Sequence, residues 1–120
     1  MVKQKRVILL VEDDADLRAM FRTALMVSGF DVREARDGYD ALAMLEHGGT
    51  DLMVLDLRMP RVDGLDVLAD IRARQERLPV VVVTASADDL SNLDVDCILR
   101  KPVTPEKLIA TVGECLAKHS

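Results

Sequence analysis

Four places in the chain set chemically capable side chains directly on the ends of apolar runs. Glu12, Asp13 and Asp14 follow VILLV, Asp56 follows LMVL, Thr84 ends VVVVT, and Lys101 follows CILR. Two carboxylates about 4 Å apart repel by about 4 kcal/mol at an effective dielectric near 20, so a cluster of three needs a cation or bound protons to persist. Mg2+ suits such a cluster, because it is a hard ion that takes oxygen ligands and is commonly completed by one or two carboxylates and a phosphate oxygen. Calcium would call for more protein oxygens, and no DxDxDG loop is present. A carboxylate anchored beside Mg2+ can attack phosphorus, which makes Asp56 the candidate nucleophile and leaves the Lys101 ammonium and the Thr84 hydroxyl for the remaining phosphoryl oxygens. A bland reading competes at each position: an acidic turn that starts a helix, a β-branched strand residue, a solvated lysine. Agreement at four strand ends together favours the chemical one.

Positioning these groups is the task of the elements between them. Five short apolar runs, RVILLV (6–11), FDVREA (30–35), DLMVLD (51–56), LPVVVVTA (78–85) and CILRK (97–101), alternate with helix-period segments. The helical stripes are Leu17, Met20, Phe21, Ala24 and Leu25; Ala41, Leu42 and Leu45; Val67, Leu68 and Ile71; and Leu108, Ile109, Val112 and Leu116. His47 before Gly48-Gly49 reads as a helix end, and Thr104-Pro105 as an N-cap with proline at the first helical position. Runs one, three and four are nearly unbroken hydrophobic stretches, as expected of parallel strands covered on both faces. The pattern predicts an α/β fold, a doubly wound five-stranded parallel sheet, in a single domain over residues 1–120 with no linker or repeat. In such sheets ligands gather outside the carboxyl ends of the strands, where all four groups fall.

Composition narrows the functions. A formal net charge of −5 argues against this domain gripping a phosphate backbone by itself. The longest apolar runs fall far short of the ~20 residues a membrane helix requires, and MVKQKR lacks the apolar core and cleavage site of a signal peptide. The expectation is a soluble cytoplasmic protein. Cys97 and Cys115 have no CxxC spacing and His47 lies far from both, so they read as small core residues rather than a zinc or disulfide framework, with His119 in the tail. A flavin carrier would want aromatic stacking, yet Trp is absent and the aromatics are Phe21, Phe30 and Tyr39; a DxDx[TV] phosphohydrolase would need an acid where Arg58 stands.

In order, LVEDDADLR, DLMVLDLRMPRVDG, VVVTA and LRKPVTPEKL resemble the acidic pair, phosphoacceptor loop, switch threonine and lysine-proline of the receiver domain of two-component response regulators, the family of the chemotaxis protein CheY. The resemblance covers residues 6–117 and implies a (βα)5 fold of strand order 2-1-3-4-5. It implies that Asp56 accepts a phosphoryl group from a histidine kinase or phosphotransfer protein, in a domain that assists its own phosphorylation and slow autodephosphorylation rather than acting as an enzyme proper. It further implies that Glu12 and Asp13 are the acidic pair, with Asp14 left to begin the first helix. Asp13, Asp56 and the backbone carbonyl of Arg58 would hold Mg2+, with Glu12 acting through water. Thr84 and the residue three before Lys101, here Ile98, would be the switch pair, reporting to a downstream effector or fused output domain, with no membrane partner.

Two features depart from the family. Ile98 stands where an aromatic residue is usual, and only seventeen positions separate Thr84 from Lys101, so the helix between the last two strands is expected to be shortened or missing and residues 85–96 to form a loop or single turn. A receiver-like module that binds without turnover would show a lost acid or lysine, and none is lost. Arg58 and Ser86, each two positions beyond a site residue, are expected to set the lifetime of the acyl phosphate.

Overall fold

The computed structural model describes residues 5–58, 63–74, 77–85 and 90–119. The elements run β1 (Val7–Val11), α1 (Ala15–Val27), β2 (Asp31–Ala35), α2 (Gly38–Glu46), β3 (Leu52–Leu55), α3 (Gly64–Arg74), β4 (Val80–Thr84), β5 (Cys97–Arg100) and α4 (Pro105–Lys118). All five strands are parallel, in the order β2-β1-β3-β4-β5. Each strand lies inside its expected apolar run and stops short of the chemically capable residues at its end, except that Thr84 closes β4. Those residues therefore belong to the loops at the carboxyl edge.

Side chains alternate across each strand, and the alternation divides the interior into two cores. Leu9, Val11, Met53, Leu55, Val80 and Val82 pack with Ala41, Leu45, Val67, Leu68 and Ile71 of α2 and α3. Ile8, Leu10, Leu52, Val54, Val81 and Val83 pack with Phe21, Leu25, Leu108 and Val112 of α1 and α4. Every residue of β3 and β4 is buried, whereas β2, at the sheet edge, is buried only at Ala35. The sheet behind Asp56 is thus its most enclosed part.

The helix starts follow capping chemistry. The Asp14 carboxylate accepts from the N–H groups of Asp16 (2.9 Å) and Leu17 (3.0 Å), Asp37 caps α2 through Asp40 N–H at 3.0 Å, and Thr104 caps α4 through Lys107 N–H at 3.1 Å with Pro105 at the first position. His47 ends α2 as expected. One stripe residue differs: Met20 is 40% exposed, because the buried line of α1 runs through Phe21 and Leu25, with Leu17 half-buried one turn earlier, and Met20 lies at its margin. Between β4 and β5 none of the described residues is helical, which agrees with the shortened connection. Leu93 N–H meets Leu90 O at 3.1 Å and Val95 N–H meets Leu93 O at 3.0 Å, while Leu90 is buried and Leu93 and Val95 are half-buried against the α2–α3 core.

Among the described residues, no helix is long and apolar enough to cross a membrane.

Candidate functional site

At the carboxyl edge of the sheet, β1 delivers Glu12 and Asp13, β3 delivers Asp56, and β5 delivers Lys101. One oxygen each from Glu12, Asp13 and Asp56 lie within 4.8 Å of one another. Lys101 Nζ reaches between two of them, 3.0 Å from Glu12 Oε1 and 3.1 Å from Asp56 Oδ2. The second Asp56 oxygen, Oδ1, accepts the Arg58 backbone N–H at 2.9 Å, so both carboxylate oxygens are held and the rotamer is fixed. Asp56 is 4% exposed and Glu12 2%, while Asp13 faces solvent. The loop after Asp56 is braced by Gly64, whose N–H donates to Leu57 O at 3.1 Å. A Cβ at 64 would collide with Leu57 Cα and stand 2.9 Å from the Asp56 carbonyl oxygen, so glycine is required by this close approach.

One ammonium facing three carboxylates leaves the cluster short of positive charge. Burial pushes the Glu12 carboxyl up to about 7; the hydrogen bond from Lys101 opposes that rise and the charge of Asp56 adds to it. Burial also works to lower the Lys101 ammonium, but its hydrogen bonds to Glu12 and Asp56 outweigh that and leave it raised. The donor set is all carboxylate oxygen, and its spacing is comparable with the ~4 Å between opposite ligands of Mg2+. The residues present therefore fit a hard divalent cation.

The structure brings Glu12, Asp13, Asp56 and Lys101 together. Thr84 ends the neighbouring strand, fully buried, and its carbonyl accepts the Lys101 N–H at 2.8 Å. Arg58 is exposed and touches the site through its N–H. In the β4–β5 register Ile98 pairs with Val82 and Arg100 with Thr84, so Ile98 and Thr84 share a face one step apart, with Ile98 half-buried against the α2–α3 core. Ser86 lies outside the described residues. Arg18 was not singled out from the sequence: its guanidinium donates to Glu12 O at 2.8 Å and Asp13 O at 3.4 Å and pairs with Glu34, fixing the backbone of the acidic turn. Its place one helical turn past the Asp14 cap is a usable signal, because such a side chain points back over the helix start.

His119 is not a loose tail residue. It ends α4, with its Nε2 2.7 Å from Asp96 Oδ1. Cys115 is buried, as read from the sequence, and Cys97 is half-buried.

A family model for the response regulator receiver domain matches residues 8–113. Response regulator MprA of Mycobacterium sp. (strain KMS) is 36% identical over 118 residues, which is 94% of this chain and 51% of that protein. Its counterpart in Mycobacterium leprae (strain TN) is 37% identical over 116 residues, 92% of this chain and 51% of that protein. The chain spans about half the length of these relatives. Among solved structures, a CheY-like receiver domain protein from Methanospirillum hungatei JF-1 superposes with a TM-score of 0.89 at 25% identity, covering 96% of each chain. The response regulator TrrA from Thermotoga maritima, solved in complex with Mg2+ and BeF, gives 0.84 at 28% identity over 92% of this chain and 98% of its own. With the match running through nearly the whole sheet and its acidic edge, the chain belongs to the response regulator receiver domain family, whose general function is that of a phosphoaccepting switch in two-component signalling.

Proposed function

We propose that Asp56 is the phosphoacceptor of this domain and that Glu12, Asp13 and Lys101 prepare it. The observation that carries the reading is the Asp56 carboxylate, held at one oxygen by the Arg58 N–H and at the other by Lys101, at the end of a fully buried strand. An Asp56 oxygen attacks the phosphorus of a phosphohistidine on a histidine kinase or phosphotransfer protein; the P–N bond breaks, its electron pair stays on the imidazole nitrogen, and an acyl phosphate forms. As the attacking oxygen loses its charge, Lys101 follows the charge onto a phosphoryl oxygen, and the Thr84 hydroxyl takes another. Asp13, Asp56 and the Arg58 carbonyl, with Glu12 acting through water, would hold Mg2+, which would supply the positive charge that lets a phosphoryl group approach three carboxylates. Positioning and charge neutralisation suffice for this chemistry, so no separate base is required. Arg58 and Ser86 then govern how water reaches the acyl phosphate, and Thr84 with Ile98 and residues 85–96 carry the change outward.

The relatives that extend to about twice the length of this chain support an output domain or effector downstream, and the reading places the switch in the cytoplasm beside its kinase. The test is intact mass at neutral pH after incubation with Mg2+ and acetyl phosphate. The wild-type chain gains one phosphoryl group and Asp56→Asn does not. Equal labelling of the variant would overturn the assignment.

A further inference from the structure

The amino edge of the sheet, opposite the acidic site, carries a second group of metal-capable atoms. Asp96, just before β5, and Cys115 and His119, on the end of α4, offer an oxygen, a sulfur and a nitrogen that lie within 4.8 Å of one another. Cys115 and His119 are four positions apart, so they project from one helix face. Asp96 is fixed independently of them. Its Oδ2 accepts the Val80 N–H at 2.8 Å, and its own N–H donates to Val80 O at 3.0 Å, which leaves Oδ1 directed at His119 Nε2. Backbone register thus orients the carboxylate, and helix period aligns the other two.

The surface reaches two of the three donors. Cys115 is 3% exposed, but His119 is exposed and lines, with Asp96 and Val95, a groove of about 360 Å3. The nearby Arg72 guanidinium is engaged by the Asp94 carboxylate at 3.6 Å and by the carbonyls of Asp94 and Leu78 at 2.8 and 2.7 Å. Thiolate, imidazole and carboxylate together form a donor set for a borderline-soft ion in tetrahedral geometry, three protein ligands with the fourth position toward solvent. The same set is poor for Mg2+ and Ca2+, which take oxygen.

We propose that Asp96, Cys115 and His119 form a second metal site of this domain, selective for a divalent transition ion of the Zn2+ class. Binding forms bonds from the metal to Cys115 Sγ, His119 Nε2 and Asp96 Oδ1, and releases to solvent the thiol proton and any proton shared by His119 and Asp96. The ion ties the end of α4 to the start of β5, the two elements that flank the loop carrying Lys101. It acts as a clamp on that part of the fold and takes no part in phosphoryl chemistry.

The experiment uses the metal-free chain with excess Mg2+ to occupy the acidic cluster and Co2+ as the spectroscopic probe. One equivalent of Co2+ produces a thiolate-to-metal charge-transfer band and the intense visible bands of four-coordinate cobalt, and Zn2+ displaces it. Cys115→Ser abolishes the charge-transfer band and Cys97→Ser keeps it. His119→Ala, at an exposed position that leaves the core intact, binds at least about tenfold more weakly while its circular dichroism stays that of the wild type. The proposal is overturned by absence of the band at saturating Co2+, by its survival in Cys115→Ser, by its loss in Cys97→Ser, or by unweakened binding to His119→Ala.

Discussion

At the scale of single residues, the site is a contest over charge. Glu12 is buried beside Asp56 with one lysine shared between them, and its carboxyl sits well above its ordinary range, at about 7 against 4.5. The folded protein therefore holds the Glu12 proton more tightly than the unfolded chain does. The stability this contributes is complete below pH 4.5 and is lost as pH rises through about 7, a loss on the order of 3 kcal/mol. Urea denaturation of metal-free protein at about pH 4.5 and pH 8 should show this loss, and Glu12→Gln should remove most of it. Saturating Mg2+ should oppose it in the wild type, because the ion favours the ionised carboxylates. A Glu12→Gln profile parallel to the wild type would contradict the electrostatic account. Asp56, Glu12 and Lys101 were legible in the sequence because each directly follows an apolar strand, which fixes where its backbone emerges. Arg18 was not, because its partners are backbone carbonyls, and these have no letter in the sequence.

At the scale of elements, the strands were legible because parallel strands covered on both faces read as unbroken apolar runs, and the helix starts because Asp14 and Thr104 carry capping oxygens. Less legible were helix margins such as Met20, where a periodic stripe is wider than the buried line, and the contact of His119 with Asp96, which depends on the register of β5 against β4. Gly64 belongs to the same class: its role comes from Leu57 packing against it. Gly64→Ala should therefore lower stability by about 1–3 kcal/mol in urea titrations, and should slow labelling at Asp56 because the displaced segment carries the Arg58 N–H. Undiminished stability in that variant would mean that the α3 start does not brace the loop. The connection from β4 to β5 makes a second prediction. Leu90 is buried at one end of its described part and Asp96 is bound to Val80 at the other, with Ser91 and Asn92 exposed between. Ile98 is β-branched, stiff at χ1 and without a hydroxyl, so the switch should be read mainly in the described part of this connection, residues 90–96. Amide hydrogen exchange with and without beryllofluoride should show protection gained there. Protection already high and unchanged on binding would send the signal out by another face.

At the scale of the whole molecule, the sheet separates two cores and two edges, and chemistry gathers at both edges for different reasons. The carboxyl edge collects hard oxygen donors and an ammonium because all five parallel strands end there and β1, β3 and β5 deliver them. The amino edge collects Asp96, Cys115 and His119 because α4 returns antiparallel to the sheet and brings its last turn back to the start of β5. The first arrangement follows from strand order, which the βα rhythm in the sequence makes readable; the second follows from helix length and register, which it does not. Phosphorylation at one carboxylate, Asp56, is the proposed event, and chemical trapping tests it: label the chain with acetyl phosphate and Mg2+, reduce the acyl phosphate with borohydride, and map the product by peptide mass spectrometry. Homoserine at position 56 is the predicted result, and homoserine at Asp13 or Asp14 with Asp56 intact would contradict it.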